Sequence, residues 1–288
     1  MSNLVAVIMA AGKGTRMKSK LPKVMHSLAG KTLIEHVLDI VGRAGVDRSL
    51  VIVGHGREGV KALIENRAEI VVQTEQLGTG HAVLQAMPYL EGEQTVLVLS
   101  GDQPLLKSET LNELVKLHQA QGASATVLTS YMEQPFGYGR IIKKGENLVR
   151  IVEEKDAAPD EREIKEINTG TYCFKGSALK DALTKITTQN AQGEYYLTEV
   201  FDVLLKHEKK VLTYRTVNSQ EALGINSRGQ LAEAEGIVRK NILEHWMSEG
   251  VTIVDPASTF IDAEVILAQD VTILPFTRLV GKTKIEED

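Results

Sequence analysis

The amino-acid sequence predicts an α/β protein with a mostly parallel sheet, followed by a long helix and the first coils of a β-helix. Three observations lead to this prediction. Short apolar, β-branched runs alternate with amphipathic segments over the first half, one amphipathic segment covers residues 228–249, and residues 251–288 repeat every six positions. Strand–helix alternation of this kind predicts a sheet covered by helices on both faces.

The first half supplies the strands and helices of that sheet. Apolar runs predict buried strands, and the stretches between them have the i, i+3/i+4 spacing of helices. The strands are expected at residues 4–9, 50–53, 70–72, 96–99 and 125–129, and the helices at 33–43, 59–65, 80–86 and 109–121. Residues 131–175 change to short extended pieces with turns, which predicts an antiparallel wall of a pocket. Ligands of parallel sheets bind outside the carboxyl ends of the strands, so the residues that follow each run are candidates for a site.

The C-terminal part of the chain, from residue 228 onward, follows two other patterns. Residues 228–249 are expected to form a helix roughly 33 Å long, with one apolar stripe of Leu231, Ala234, Ile237, Val238 and Trp246. After it, aliphatic residues recur every six positions at Ile261, Leu267, Ile273, Leu279 and Ile285. This period is typical of a three-sided parallel β-helix, whereas an alternating hairpin, the other interpretation, would not sustain five matches. The repeat is unfinished at residue 288, so we expect either a fragment of a longer protein or a naturally truncated one.

The charge distribution excludes some partners and indicates another. The 288 residues include 38 acidic and 33 basic side chains, and the net charge of −5 argues against binding to nucleic acid. Residues 1–34, however, contain six Lys or Arg and no acid, and so carry +6. We therefore expect a specific anionic ligand. The single Cys173 and the lack of a run of about 20 apolar residues argue against a disulfide and a membrane span, and favour the cytoplasm.

A glycine-rich basic loop follows the first predicted strand. The run Ala10-Ala11-Gly12-Lys13-Gly14-Thr15-Arg16 is neither a Walker loop nor a full dinucleotide fingerprint. Its glycines let backbone N–H groups approach a ligand, and Lys23 follows a bend at Leu21-Pro22. A solvated basic turn is the alternative, but a triphosphate-binding loop better explains why glycines and cations coincide at the end of a strand.

Two further motifs follow predicted strands. In the first, Gln73 to His81, side-chain amides and glycines are suited to reading the edge of a base, although a glycine-rich connection is equally compatible. In the second, Ser100-Gly101-Asp102 presents a carboxylate suited to a Mg²⁺ ion that also contacts phosphate oxygens. The alternative for Asp102 is an N-cap of the next helix. His81 is expected to cap or pack rather than to catalyse.

Together these motifs resemble a known family. Ala-Ala-Gly-Lys-Gly-Thr-Arg-Met, Leu-Pro-Lys, Gln-Leu-Gly-Thr-Gly-His, Gly-Asp, Tyr-Gly-Arg, Asn-Thr-Gly and Asn-Ala-Gln-Gly-Glu-Tyr-Tyr occur in its order. The chain is similar over essentially its whole length to the bifunctional N-acetylglucosamine-1-phosphate uridylyltransferases/glucosamine-1-phosphate acetyltransferases of the Gram-positive bacterial kind. The resemblance implies a Rossmann-like nucleotidyltransferase sheet and a left-handed parallel β-helix. It also implies Mg²⁺-dependent transfer of a uridylyl group from UTP to N-acetylglucosamine 1-phosphate.

The resemblance also implies roles for individual residues. Arg16 and Lys23 would grip phosphates, and Asp102 and Asn226 would hold Mg²⁺, with a helix N-cap as the alternative role for Asn226. Contacts to the nucleotide or other substrate groups fall on Met9, Ala10, Ala11, Gly12, Gln73, Gly78, Thr79, Ser100 and Gly101, and sugar contacts on Gly139, Glu153 and Asn168. The family often has another residue at the position of Ser100.

The same resemblance implies how the chain is divided. Residues 1–227 would form the uridylyltransferase domain, 228–250 a connector helix and 251–288 the start of the hexapeptide-repeat β-helix. The family forms homotrimers through coils that lie mostly beyond this chain, and its acetyltransferase activity is not expected here. Family coils usually have Gly where this chain has Leu274 and Val280. The other functions to consider are the same transfer to a different sugar 1-phosphate and a non-catalytic, nucleotide-sensing assembly module.

Overall fold

A computed structural model describes residues 3–54, 57–91 and 93–287. The strands of a nine-stranded sheet lie between residues 4 and 215, and short paired strands occupy the C-terminal end. The strands are β1 Leu4–Ala10, β2 Ser27–Leu28, β3 Lys31–Thr32, β4 Arg48–Val53, β5 Glu69–Val72, β6 Thr95–Ser100, β7 Ala125–Tyr131, β8 Arg140–Lys144, β9 Asn147–Val152, β10 Glu166–Lys175, β11 Val211–Arg215, β12 Thr252–Ile253, β13 Phe260–Ile261, β14 Ile266–Leu267, β15 Thr272–Ile273, β16 Arg278–Leu279 and β17 Lys284–Ile285. The helices are α1 Leu33–Arg43, α2 Arg57–Ile64, α3 Thr79–Ala86, α4 Ser108–Ala120, α5 Pro159–Arg162, α6 Gly176–Leu183, α7 Glu199–Lys206 and α8 Arg228–Ser248.

The main sheet has the order β11-β7-β10-β6-β1-β4-β5, and β8 and β9 extend from β10. Only β10 runs against the other strands of that path, because it pairs antiparallel with both β6 and β7. The predicted α/β fold with a mostly parallel sheet is therefore confirmed. The antiparallel wall expected over residues 131–175 is formed by β8, β9 and β10.

Helices cover both faces of the sheet, as strand–helix alternation predicts. Alternate residues of β1 enter two different cores: Val5 and Val7 pack on one face, and Ala6 and Ile8 on the other. Every strand residue from Val5 to Ile8 is almost completely buried. Burial on both faces explains why these strands read as continuous apolar runs rather than as alternating patterns.

Helix α8 begins at Arg228, where the Ser227 hydroxyl accepts a hydrogen bond from the Gln230 amide. Of the predicted apolar stripe, Ala234 is fully buried, Leu231 and Val238 pack partly buried beside it, and Trp246 packs against the C-terminal coils. Its first half packs on a small cluster that includes Leu28 and Leu33, and its second half on the C-terminal coils. The helix therefore joins two separate cores. In the described part of the chain, no helix combines the length and apolar character that crossing a membrane requires.

The six-residue period of the C-terminal segment corresponds to short parallel strands. The predicted aliphatic positions, from Ile261 to Ile285, each form the second residue of a strand. The pairs β12–β15, β13–β16 and β14–β17 form three separate parallel sheets. Leu274 and Val280, which stand where the family usually has Gly, lie exposed outside this stack. The departure at these two positions therefore leaves the strand pairing intact.

Candidate functional site

The carboxyl ends of the central strands bring the predicted nucleotide contacts together. Met9 is in register with Ser100 of β6, and Ala10 with Val53 of β4. The amide of Gly101 donates to the Met9 carbonyl at 2.9 Å, and the Gln73 amide donates to the Val53 carbonyl at 2.9 Å. The segments that follow β1, β4, β5 and β6 thus start from one edge of the sheet, as the topology of parallel strands requires.

The basic loop consists of two 3-10 turns, Thr15–Met17 and Lys23–Met25. Met17 is buried and anchors the first turn, which leaves Arg16 exposed. Gly14 has a φ of 59°, and a Cβ there would lie 2.8 Å from the Cβ of Lys23. The two turns can therefore approach each other only because residue 14 has no side chain.

The first turn lies beside an open cleft of about 670 Å³. Its walls include Gly12, Lys13, Lys20, Pro22 and Gln76. Ala10 and Ala11 connect β1 to this cleft, and a Cβ on Gly12 would meet no atom within 4 Å. The volume suits a small-molecule ligand, and the lysines give it positive charge.

Lys23, Asp102 and Asn226 converge although they are far apart in the sequence. The Lys23 ammonium contacts Asp102 Oδ2 and donates to Asn226 Oδ1 at 2.9 Å. The Ile225 amide donates to the Asp102 carbonyl at 2.9 Å, which holds the Asn226 segment against Asp102. One carboxylate oxygen and one amide oxygen thus face the same cation.

The alternative roles considered for Asp102 and Asn226, as N-caps of helices, do not describe either residue. Helix α8 is capped by Ser227 rather than by Asn226, whose backbone amide donates to Gln230 Oε1 at 2.9 Å. Helix α4 begins at Ser108 with Lys107 at its N-cap, so Asp102 lies well ahead of it. Both side chains are therefore free to serve the cluster.

The loop after β5 is more closely packed than the open cleft beside Gly12. Gln73 is buried, and its Nε2 lies 3.3 Å from the Gly78 carbonyl and 3.0 Å from Nδ1 of His81. Gly78 has a φ of 113°, and a Cβ there would lie 2.5 Å from the Tyr195 carbonyl oxygen. The Thr79 hydroxyl accepts from the Leu197 amide at 3.0 Å. Gly78 and Thr79 thus dock the 190–196 turn, as the connection interpretation requires, and His81 packs in the same network as expected.

Gly139, Glu153 and Asn168 meet at the end of the antiparallel wall. Strand register places Arg140 opposite both Val152 and Ile167. Because both pairings are antiparallel, the residue before Arg140 and the residues after Val152 and Ile167, which are the three candidates, lie side by side at the same end of the strands. A Cβ on Gly139 would lie 3.4 Å from Glu153 Oε2 and 3.5 Å from the Cβ of Asn168. The Asn168 amide also donates to the Gly139 carbonyl at 2.9 Å. The structure therefore brings all three predicted sugar contacts together.

The side chains on this wall are polar and hydrogen-bonded to one another or to neighbouring residues. The Thr198 hydroxyl donates to Glu153 Oε1 at 2.9 Å, and burial raises the pKa of the Glu153 carboxyl above its usual value. Asn168 Nδ2 donates to the Tyr172 hydroxyl at 2.8 Å, and its Oδ1 accepts from the Gly170 amide at 3.0 Å. These fixed donors and acceptors are suited to a neutral, hydroxyl-rich ligand.

Two contacts connect the basic side of the site with this polar wall. The Tyr138 hydroxyl lies in hydrogen-bond contact with the backbone of Gly224, near Asp102 and Arg16, and burial, which outweighs that contact, raises the pKa of the phenol. Ser100 faces the wall as well, because a Cβ on Gly170 would lie 3.5 Å from its hydroxyl. The cluster around Lys23 and the wall around Gly139 are therefore two sides of one site.

Sequence reasoning missed two residues at this site. Gln76 lines the cleft beside Gly12 and reaches Gly54, where a Cβ would lie 2.7 Å from its Nε2. Its place as the first residue of the Gln-Leu-Gly-Thr-Gly-His motif could have indicated that Gln76 belongs to the site. Thr198, which bonds Glu153 across 45 residues, has no local signal other than following the Tyr-Tyr pair.

Comparisons with known proteins identify the family. A model of the MobA-like NTP transferase domain matches residues 6–190. A curated protein of Desulfitobacterium hafniense (strain DSM 10664 / DCB-2) named bifunctional protein GlmU is 57% identical over 288 residues, which cover 100% of this chain and 64% of that protein. The protein of the same name from Enterococcus faecalis (strain ATCC 700802 / V583) is 48% identical over 290 residues, 100% of this chain and 63% of that protein. The predicted resemblance is thus confirmed, and the chain spans about 64% of the length of the curated relatives it matches.

Solved structures extend the comparison to the fold. A UDP-glucose pyrophosphorylase complexed with UDP-glucose superposes with a TM-score of 0.67 at 17% identity, covering 84% of this chain and 100% of that one. This likeness supports a Rossmann-like nucleotidyltransferase sheet. Because the family model covers more than half of the chain, the protein belongs to the family with a MobA-like NTP transferase domain.

Proposed function

We propose that the chain transfers a uridylyl group from UTP to N-acetylglucosamine 1-phosphate, giving UDP-N-acetylglucosamine and pyrophosphate. The observation that carries this proposal is the pairing of an ionic cluster, Lys23 with Asp102 and Asn226, with the polar wall of Gly139, Glu153 and Asn168. The relatives named bifunctional protein GlmU support the choice of reaction.

The chemistry requires positioning more than covalent catalysis. An oxygen of the sugar phosphate attacks the α-phosphorus of UTP in line, and the bond from that phosphorus to the bridging oxygen breaks as pyrophosphate leaves. The incoming phosphate is itself the nucleophile. In this proposal Arg16, in the turn between the cleft residues Lys13 and Ser19, and Lys23, which binds Asp102, hold phosphates and stabilise the charge that develops on them.

The Asp102–Asn226 pair suits a Mg²⁺ ion. Its two side-chain oxygens already bind one cationic group, the Lys23 ammonium. Within the described residues there is no cluster of three or more His, Cys, Asp or Glu side chains that would form an all-protein cage. Mg²⁺ commonly uses one or two protein oxygens together with water and substrate phosphates. When bound, it would neutralise charge on the phosphates of UTP.

The remaining site residues are assigned to the two substrates. We assign Met9, Ala10, Ala11, Gly12, Gln73, Gly78, Thr79, Ser100 and Gly101 to the nucleotide side, on the edge that the ends of β1, β5 and β6 share. Gly139, Glu153 and Asn168 are assigned to the sugar, whose hydroxyls match the fixed donors and acceptors of that wall.

The proposal also divides the chain. Residues 1–227 would form the uridylyltransferase domain, 228–250 the connector and 251–288 the start of a left-handed hexapeptide-repeat β-helix. The three parallel strand pairs that follow α8 support the last assignment. A homotrimer, as in the full-length family, is the assembly to test by sedimentation. Buried, free Cys173 suits a reducing cytoplasm.

The direct test is release of pyrophosphate from UTP and N-acetylglucosamine 1-phosphate with Mg²⁺, compared with a panel of other sugar 1-phosphates. We expect the highest kcat/KM with N-acetylglucosamine 1-phosphate. Faster turnover of another sugar phosphate would support the alternative substrate. Tight UTP binding without turnover would support a nucleotide-sensing module and contradict the proposal.

A further inference from the structure

Arg140 is a buried cation that the proposed reaction does not use. It lies at the start of β8, directly after Gly139, and is only 2% exposed. A buried charge is stable only when it is paired and hydrogen-bonded. The partners of Arg140 therefore indicate what the side chain holds in place.

The guanidinium joins three segments around the sugar side of the site. Its Nη1 donates to the Tyr138 carbonyl and forms an ion pair with Glu154 Oε2 at 2.8 Å. Its Nε and Nη2 donate to the Arg162 carbonyl, at the end of α5, at 3.2 and 3.1 Å. Glu154 Oε2 also accepts from the Gly137 amide at 3.2 Å. One planar group thus fixes the 137–140 turn to residue 154 and to α5.

Its partners are direct neighbours of the proposed sugar contacts. Tyr138 and Arg140 flank Gly139 in the sequence, and Glu154 follows Glu153. Strand register places Arg140 opposite both Val152 and Ile167, which directly precede Glu153 and Asn168. Any shift of the guanidinium would therefore displace Gly139 relative to Glu153.

We infer that Arg140 is a positioning residue for sugar recognition: through Tyr138 and Glu154 it sets the spacing between Gly139 and Glu153. This inference rests on the proposed function for the identity of the sugar phosphate. Lysine cannot replace the guanidinium, because one ammonium cannot bond the Tyr138 and Arg162 carbonyls and Glu154 in the same planar geometry.

The kinetic test compares Arg140→Lys with Glu154→Gln and with a matched control, Arg48→Lys. Arg48 likewise bonds a carboxylate and a carbonyl, those of Glu69 and Tyr89, but at the amino ends of β4 and β5. We expect Arg140→Lys to raise the KM for N-acetylglucosamine 1-phosphate between about 10-fold and 10²-fold. The KM for UTP should stay within about threefold, well below a tenfold effect of 1.4 kcal/mol. Glu154→Gln should shift the sugar phosphate KM in the same direction, and Arg48→Lys should change neither KM.

Equal changes in both KM values, or lower thermal stability with an unchanged sugar phosphate KM, would overturn the inference. If Arg140→Lys does not fold, Glu154→Gln decides the kinetic outcome, because Glu154 is only partly buried.

A second measurement does not depend on turnover. Amide hydrogen exchange of the ligand-free protein should accelerate at residues 137–140 and 153–156 in Arg140→Lys and Glu154→Gln, and stay unchanged at 48–53. Unchanged exchange at 137–140 would contradict the positioning role. An inactive wild-type protein would instead contradict the proposed function, and the exchange data would still decide whether Arg140 orders this wall.

Discussion

The two sides of the site are built by different means. On the phosphate side, exposed and half-exposed cations follow the first strand, and Lys23 reaches two oxygens from distant segments. On the sugar side, Gly139, Glu153 and Asn168 form a wall whose only ion pair, among the described residues around Gly139, joins buried Arg140 to partly buried Glu154 behind it. Charge therefore organises one side, and strand register organises the other.

This difference reflects the ligands that the two sides are proposed to bind. A triphosphate is recognised through charge, which acts over several ångströms and tolerates a flexible loop. A sugar presents neutral hydroxyls, which are distinguished only by hydrogen bonds of defined length and direction. Substitutions on the phosphate side should therefore affect rate and metal binding, whereas those on the sugar side should affect recognition.

The largest effect is expected for Asp102→Ala. Loss of the carboxylate removes one proposed Mg²⁺ ligand and leaves Lys23 without its ionic partner, so the rate should fall about 10²–10³-fold, measured as pyrophosphate release. Asp39→Asn is the control, because Asp39 pairs with Lys31 and Arg67 on α1. Near-full activity of Asp102→Ala would exclude its assigned role.

A matched pair of glycine substitutions tests the division directly. A Cβ at Gly12 meets nothing within 4 Å and one at Gly139 makes ordinary contacts, so both alanine variants should fold. Each methyl group would occupy ligand space on its own side. We expect Gly12→Ala to raise the KM for UTP, and Gly139→Ala that for the sugar phosphate, by at least about 10-fold. If each variant raised the KM values for UTP and for the sugar phosphate equally, the division of the site into two sides would be wrong.

Lys23→Met should separate metal binding from catalysis. In the ligand-free protein the ammonium binds the same oxygens as the proposed Mg²⁺, so its removal should strengthen Mg²⁺ binding about tenfold, a change of 1.4 kcal/mol. The rate should fall nevertheless. Titration calorimetry without substrates measures the affinity, and Arg16→Met controls for loss of positive charge. The same gain in both variants would contradict direct competition at Asp102.

The smallest effect is expected for Glu153→Gln and depends on pH. Burial, opposed by the Thr198 hydrogen bond, raises the pKa of Glu153 above its usual 4.5. The folded protein then holds this proton more tightly than the unfolded chain. The stability from this group is therefore present below pH 4.5 and is lost as pH rises through the raised pKa.

The Gln variant should consequently be more stable than wild type at neutral pH, by on the order of 1 kcal/mol, and lose that advantage at about pH 4. Urea unfolding at both pH values measures the difference. A gain of equal size at both would show that ionisation of Glu153 is not its cause. The variant should still bind the sugar phosphate more weakly, because a carboxylate accepts at both oxygens and an amide at only one.

Local pattern was sufficient for most of the fold. Apolar runs located β1, β4 and β6 because both faces of these strands are buried, and a six-residue period located the C-terminal strands from Ile261 to Ile285. For α8 the pattern located the apolar residues but not their partners: Leu231, Ala234 and Val238 pack on one core, and Trp246 on another. Helical periodicity records which residues share a face but not what covers that face.

The sequence by itself determined the elements, the basic loop and, through ordered motifs, the candidate residues on both sides of the site. Only the tertiary structure decided how they combine. Lys23 meets Asp102 across 79 residues and Asn226 across 203, Thr198 reaches Glu153, and Arg140 is buried behind Gly139. Periodicity and composition act over a few residues, whereas these contacts depend on strand order and register, which long-range packing sets.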